Sequence, residues 1–322
     1  MRSLGPVTVF LVFFYAILML VLTITFFVVW LRHRRQLRRY RRYGFGAGIV
    51  LVMSESVVSI LLFKYGVELR GPVGLLIVTD IVAFFRVCAF AIVGIHYCAL
   101  IGVASLPLLM RRFSTGKVDS DAVSESEKSN ESEAKDVSGE LEGSGIQPEG
   151  EEKGVPVVAM PAINIREMAT SVLAVALGGT VFSVILFWIT KPEISDMLQV
   201  WARRYQLEGL DFWQRNVIGA IAVLAFAFSE EIVFRLGIQN FLAKHFKWEV
   251  RNYWWAILLT TIIWSIGHVG IMNPGWVKMV QVFPVGLAFG WLFQRYGAES
   301  SIIAHGLFNV VLLIPGQYLI SQ

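Results

Sequence analysis

Three groups of residues in the C-terminal half combine types and spacings that could do chemistry. The first is Ser229-Glu230-Glu231-Ile232-Val233-Phe234-Arg235, set in an apolar run. Glu231 and Arg235 stand four apart with Glu leading, the favourable order for an ion pair on one helix face. That pairing leaves Glu230 over, about 100° round the helix. A carboxylate in such surroundings suits the role of general base toward water, whereas a Glu–Arg clamp alone would be structural. The second group is Trp264-Ser265-Ile266-Gly267-His268. Trp264 and His268 share a face, so the indole can wall one side of the imidazole. The third is His305-Gly306-Leu307-Phe308-Asn309, again four apart. Two convergent hydrogen-bonding side chains of this kind compose an oxyanion hole. Ionisable groups inside apolar spans cost about 2.5–3.5 kcal/mol each on insertion scales, so they are suspects for function rather than packing.

The elements that must position these groups are membrane helices. The chain has 322 residues, 56% of them hydrophobic and only 16% charged, which excludes an ordinary soluble domain. Apolar stretches at 6–31, 45–64, 73–110, 167–190, 214–242, 252–271, 277–294 and 299–319 are each long enough to cross a bilayer. The expected fold is therefore an all-α polytopic bundle of about eight transmembrane helices. The stretch 73–110 is long for one crossing and is interrupted by Asp80 and Arg86, which read as inward-facing packing groups. Gly267 and Gly306 would let neighbouring helices approach closely, as would Gly286 and Gly290, while Pro284 would kink the helix that carries them.

Charge divides the chain further. Between Lys117 and Lys153 lie 12 acidic and 4 basic residues, half of the chain's 24 carboxylates. With no aromatic residue after Phe113, this stretch cannot bury enough surface to order itself. Expected domains are a three-span region at 1–112, a disordered acidic linker at 113–160 and a five-span region at 161–322. The arginine cluster Arg32, Arg34, Arg35, Arg38, Arg39, Arg41 and Arg42 sits between two apolar stretches, where it reads as a topology determinant and not as a nucleic-acid site. It places 32–43 and the acidic linker in the cytoplasm and the N-terminus outside or in the lumen. Cys88 and Cys98 share one apolar run and form no disulfide framework.

Taken in order on three separate spans, EExxxR, WxxxH and HxxxN resemble the motifs of the CPBP family of intramembrane proteases, which holds CAAX prenyl endopeptidases and Abi-type proteins. The resemblance covers roughly 165–320. It implies Glu230 as general base, His268 as a water-binding partner, and His305 with Asn309 as oxyanion donors. Glu231, Arg235 and Trp264 take supporting positions. It further implies a peptide or lipidated-protein substrate, a CAAX-type tail or a leader peptide, reached from the lipid or the cytoplasm. A bacterial plasma membrane or an endoplasmic reticulum membrane would both suit the family. Two histidines and a glutamate could instead hold zinc. However, there is no HExxH, and a zinc site would consume the base and leave Asn309 idle, so no cofactor is expected and zinc is the alternative. A non-catalytic scaffold or bacteriocin-immunity protein, and a proton-coupled transporter, are the competing readings of the same buried charges.

One difficulty is visible in advance. At 1.5 Å per residue, Glu230 lies about 18 Å from a helix end near 242, and Asn309 about 16 Å from one near 298. His268 comes out about 24 Å from residue 252, too deep to join that layer without tilt or an early turn near Gly267.

Overall fold

The structure, a computed structural model, describes residues 6–64, 73–106, 164–194, 210–248 and 250–320. The expected acidic linker at 113–160 lies outside the described residues. The architecture is all-α: α1 (Pro6–Arg32), α2 (Arg41–Lys64), α3 (Val73–Ile101), α4 (Ile165–Thr190), α5 (Phe212–Glu230), a π-helical segment (Glu231–Gln239), α6 (Asn240–His245), α7 (Trp254–Ile266), α8 (Gly275–Tyr296) and α9 (Ala298–Leu319). The arginine cluster folds partly into a short 3₁₀ turn, Gln36–Tyr40, between α1 and α2. Two-residue strands, β1 (Glu193–Ile194) and β2 (Met272–Asn273), pair antiparallel beside the bundle.

Among the described residues, α1, the 81–101 part of α3, α4, the continuous 212–245 unit, α8 and α9 are each long and apolar enough to cross a membrane. The chain is an integral, multi-pass membrane protein. Two expected spans end early. The stretch 73–110 stops being helical at Ile101, because Gly102 takes a positive φ of 75° and the Val103 N–H returns to the Cys98 carbonyl. This is the glycine-terminated helix end that satisfies last-turn carbonyls. The stretch 252–271 is helical only over the 13 residues of α7, about 20 Å, short of the roughly 30 Å hydrocarbon core. Gly267 to Gly270 form turns instead.

Local signals explain the other starts. Asn164 caps α4 by accepting from the Arg166 and Glu167 N–H groups. Asp211 and Gln214 form a reciprocal capping box at α5. The π segment is buried throughout. Its displaced carbonyls are met by the Asn240 side chain, which donates to Leu236 O at 2.8 Å and Arg235 O at 3.0 Å. Tyr253 in turn donates to Asn240 Oδ1 at 2.7 Å and accepts from Gln239.

The N-terminal helices pack directly on this segment. Gly94 of α3 abuts the Leu236 carbonyl, and Gly237 abuts the Phe90 ring, so neither position has room for a side chain. Phe90 stacks on Phe26 of α1 with centroids 3.9 Å apart, and Phe26 reaches Phe241 at 5.4 Å. On the other side, a β-carbon on Gly286 would stand 2.8 Å from Trp264, and one on Gly290 2.6 Å from Ile257. The α7–α8 crossing is thus set by small residues.

Candidate active site

Glu230 is the last residue of α5, where the helix passes into the π segment. Its carboxylate remains 30% exposed in an otherwise buried neighbourhood. Three side chains meet it, from α7, the turn that follows α7, and α9. Trp264 Nε1–H of α7 donates to Glu230 Oε2 at 2.8 Å. His268 Nε2 stands 4.0 Å from Oε1, and His305 Nε2 stands 3.9 Å from Oε2. The early end of α7 makes this possible: His268 sits in the turn after Ile266, so the depth mismatch expected for a continuous helix does not arise.

The second nitrogen of each imidazole is tethered. His268 Nδ1 lies 2.8 Å from the Trp264 carbonyl, which can only accept, so Nδ1 carries the hydrogen. His305 Nδ1 lies 2.9 Å from Glu231 Oε1 and donates to it. In the neutral rings both Nε2 atoms therefore present lone pairs toward Glu230. The separations are too long for direct hydrogen bonds and suit a water molecule touching carboxylate and imidazole together.

Behind this layer, Glu231 Oε2 pairs with Arg235 Nε at 3.5 Å, both side chains almost wholly buried. The Arg235 guanidinium lies over the Trp264 ring, 5.2 Å from its centroid. Trp264 also meets His268 and His305 edge-on, at 4.8 and 5.5 Å, and Phe289 stacks on His305 at 4.7 Å. The indole thus touches the Glu230 carboxylate, both imidazoles and the guanidinium. Sequence spacing gave Trp264 only the wall beside His268. Its bond to Glu230, the Glu231–His305 bond and the Phe289 stack cross between helices and leave no periodic trace. Asn309 follows His305 by one turn of α9 and is partly buried; its carboxamide forms no hydrogen bond with the described residues.

Residues 212–311 match the model of the family described as type II CAAX prenyl endopeptidase Rce1-like. This region is similar to the CAAX-protease family over that length. Every residue of the cluster lies inside it. Over 123 residues the chain is 26% identical to the sporulation-killing factor biosynthesis protein SkfC of Bacillus subtilis (strain 168). That alignment covers 38% of this chain and 22% of the relative, so the chain spans well under two thirds of the protein it resembles. No solved structure matches.

An apolar cavity of about 390 Å³ is lined by Phe182, Ser265, Met279, Val280, Phe283 and Pro284. Ser265 is the sequence neighbour of Trp264, so the cavity and the cluster share α7. Lys278, on α8, donates to Gln281 at 2.6 Å, and Gln281 donates to Ser183 of α4 at 3.1 Å. The donor set fits zinc poorly. Bonds of 2.0–2.1 Å to a tetrahedral ion put ligand atoms about 3.4 Å apart, against the 3.9 and 4.0 Å found here. Among the described residues no group of three His, Cys, Asp or Glu has metal-holding geometry.

Proposed function

We propose that this protein is an intramembrane endopeptidase that hydrolyses a peptide bond of a membrane-associated or lipidated substrate by a glutamate-activated water. The observation that carries this reading is the Glu230 carboxylate, held by Trp264 and flanked at 3.9 and 4.0 Å by two imidazole Nε2 atoms. A water seated there gives one hydrogen to Glu230 and the other to His268 Nε2, and its oxygen lone pair faces the substrate carbonyl carbon. Glu230 takes the proton as the C–O bond forms and returns it to the leaving amine as the C–N bond breaks.

The oxyanion falls to α9, where the Asn309 carboxamide has donors to spare. His305 joins it as a donor only when Nε2 also carries a proton, giving an imidazolium paired with Glu231. Glu231 and Arg235 are positioning residues in this scheme.

The substrate class, a CAAX-type tail or a leader peptide, is supported by the family match and by the apolar cavity that shares α7 with the cluster. The Pro284-bearing face of α8 is then the side from which a lipidated peptide arrives. The arginine cluster supports a cytoplasmic loop at 32–43, with the acidic linker on the same side and the N-terminus opposite.

Peptide termini are to be compared in membranes holding the wild-type protein or Glu230→Gln, with and without a zinc chelator. Termini that depend on Glu230 and survive chelation support the metal-free scheme and name the substrate. Loss on chelation favours the zinc version. Identical termini in both membranes favour a non-catalytic scaffold.

A further inference from the structure

The region that matches the CAAX-protease family begins at residue 212, yet a side chain from the first helix reaches its active cluster. Tyr15 lies on the face of α1 that turns inward with Leu18, Met19, Leu22 and Phe26, while Phe13, Phe14 and Ile17 are exposed on the outer side. Its ring presses on Gly267, the residue immediately before His268. A β-carbon built on Gly267 would stand 2.6 Å from Tyr15 Cζ and 2.8 Å from the phenolic oxygen. The hydroxyl is therefore delivered to the turn that carries His268. It forms no hydrogen bond with the described residues.

Two charges act on that oxygen. Glu230 and Arg86 of α3 are both within electrostatic reach of the Tyr15 hydroxyl. Arg86 Nε is itself buried without a hydrogen-bond partner. The hydroxyl thus stands beside the turn that carries His268 and within electrostatic reach of Glu230. A half-buried phenol ordinarily finds a partner, and none of the described residues supplies one here.

We propose that Tyr15 is a substrate-binding residue, its hydroxyl donating to a backbone carbonyl oxygen of the bound peptide beside the scissile bond. This rests on the proteolytic reading of the same site. It makes the N-terminal helix a wall of the active site rather than an accessory anchor. The step is hydrogen bonding alone and changes no covalent bond.

The full chain in proteoliposomes is tested with a quenched fluorescent peptide bearing a farnesylated cysteine four residues from its C-terminus. Wild type, Glu230→Gln, Tyr15→Phe and Phe14→Leu are compared. Phenylalanine keeps the ring on Gly267 and removes only the donor. Equal binding of ground and transition states predicts a KM raised about 3- to 10-fold with kcat within about twofold, and Phe14→Leu is expected to match wild type. A Tyr15→Phe enzyme with unchanged KM, or one losing kcat alone, overturns the inference while leaving the protease intact. If wild type cleaves no faster than Glu230→Gln, the proteolytic reading fails and takes this inference with it. Photocrosslinking reads the contact without turnover. Benzoylphenylalanine at position 15 in the Glu230→Gln protein is expected to capture the peptide, and at position 14 it is not. No capture at 15, with an active wild type, also overturns the inference.

Discussion

Replacing Trp264 with phenylalanine removes the N–H donor together with part of the ring, and most directly weighs what the indole does. The Nε1–H···Oε2 bond to Glu230 is 2.8 Å long and charge-assisted. Such bonds contribute about 1.5–3 kcal/mol. Because the Glu230 carboxylate is 30% exposed, water can take the vacated place, which favours the lower end of that range. A loss of about 1.5 kcal/mol in transition-state stabilisation corresponds to roughly a tenfold fall in kcat/KM. The smaller ring also leaves space among Arg235, Phe289 and the two histidines, where truncation of a side chain only 2% exposed costs about 2 kcal/mol of stability. The two effects separate experimentally. Initial rates on a quenched prenylated peptide are taken well below the thermal transition, and the transition itself is followed by circular dichroism in detergent. A folded Trp264→Phe protein with kcat/KM within twofold of wild type would refute the claim that the indole positions the base.

Glu231→Gln should lower stability by about 3–5 kcal/mol, because it leaves the Arg235 guanidinium buried without its carboxylate. Adding Arg235→Met should recover part of that loss in the same unfolding assay, and a double variant less stable than the single one would contradict the pairing. Asn309→Ala should cut kcat by about 10²- to 10³-fold if its carboxamide meets the oxyanion, with an unchanged melting temperature; an undiminished kcat would remove it from the scheme. Gly237→Ala should destabilise the fold by about 1–3 kcal/mol through collision with Phe90. A melting temperature equal to wild type would show that α3 does not seat on the π segment as described.

The candidate residues were readable in the sequence because each pair stands four apart, a relation that spacing alone encodes. Glu231 with Arg235 and Trp264 with His268 are of this kind. So were the close approaches at Gly286 and Gly290, since glycine advertises room. The relations between helices were not readable. Nothing in spacing says that His305 answers Glu231, that Trp264 answers Glu230, or that Tyr15 arrives from more than two hundred residues upstream. The π segment was also hidden, as its residues read as ordinary apolar helix; the one signal is the polar Asn240, whose side chain absorbs its carbonyls. Hydropathy overran the ends of α3 and α7 because apolar residues continue past both. The glycines at 102 and 267 mark where the helices stop.

The most direct test of the central claim is the turnover of a quenched prenylated peptide by the purified full chain in proteoliposomes, wild type against Glu230→Gln, each after exhaustive chelation. A general base contributes about 10²- to 10⁴-fold. Chelated wild type should keep its rate, and Glu230→Gln should lose at least a hundredfold while melting at a similar temperature. A Glu230→Gln enzyme retaining a rate within tenfold of wild type would contradict the assignment of Glu230 as the base.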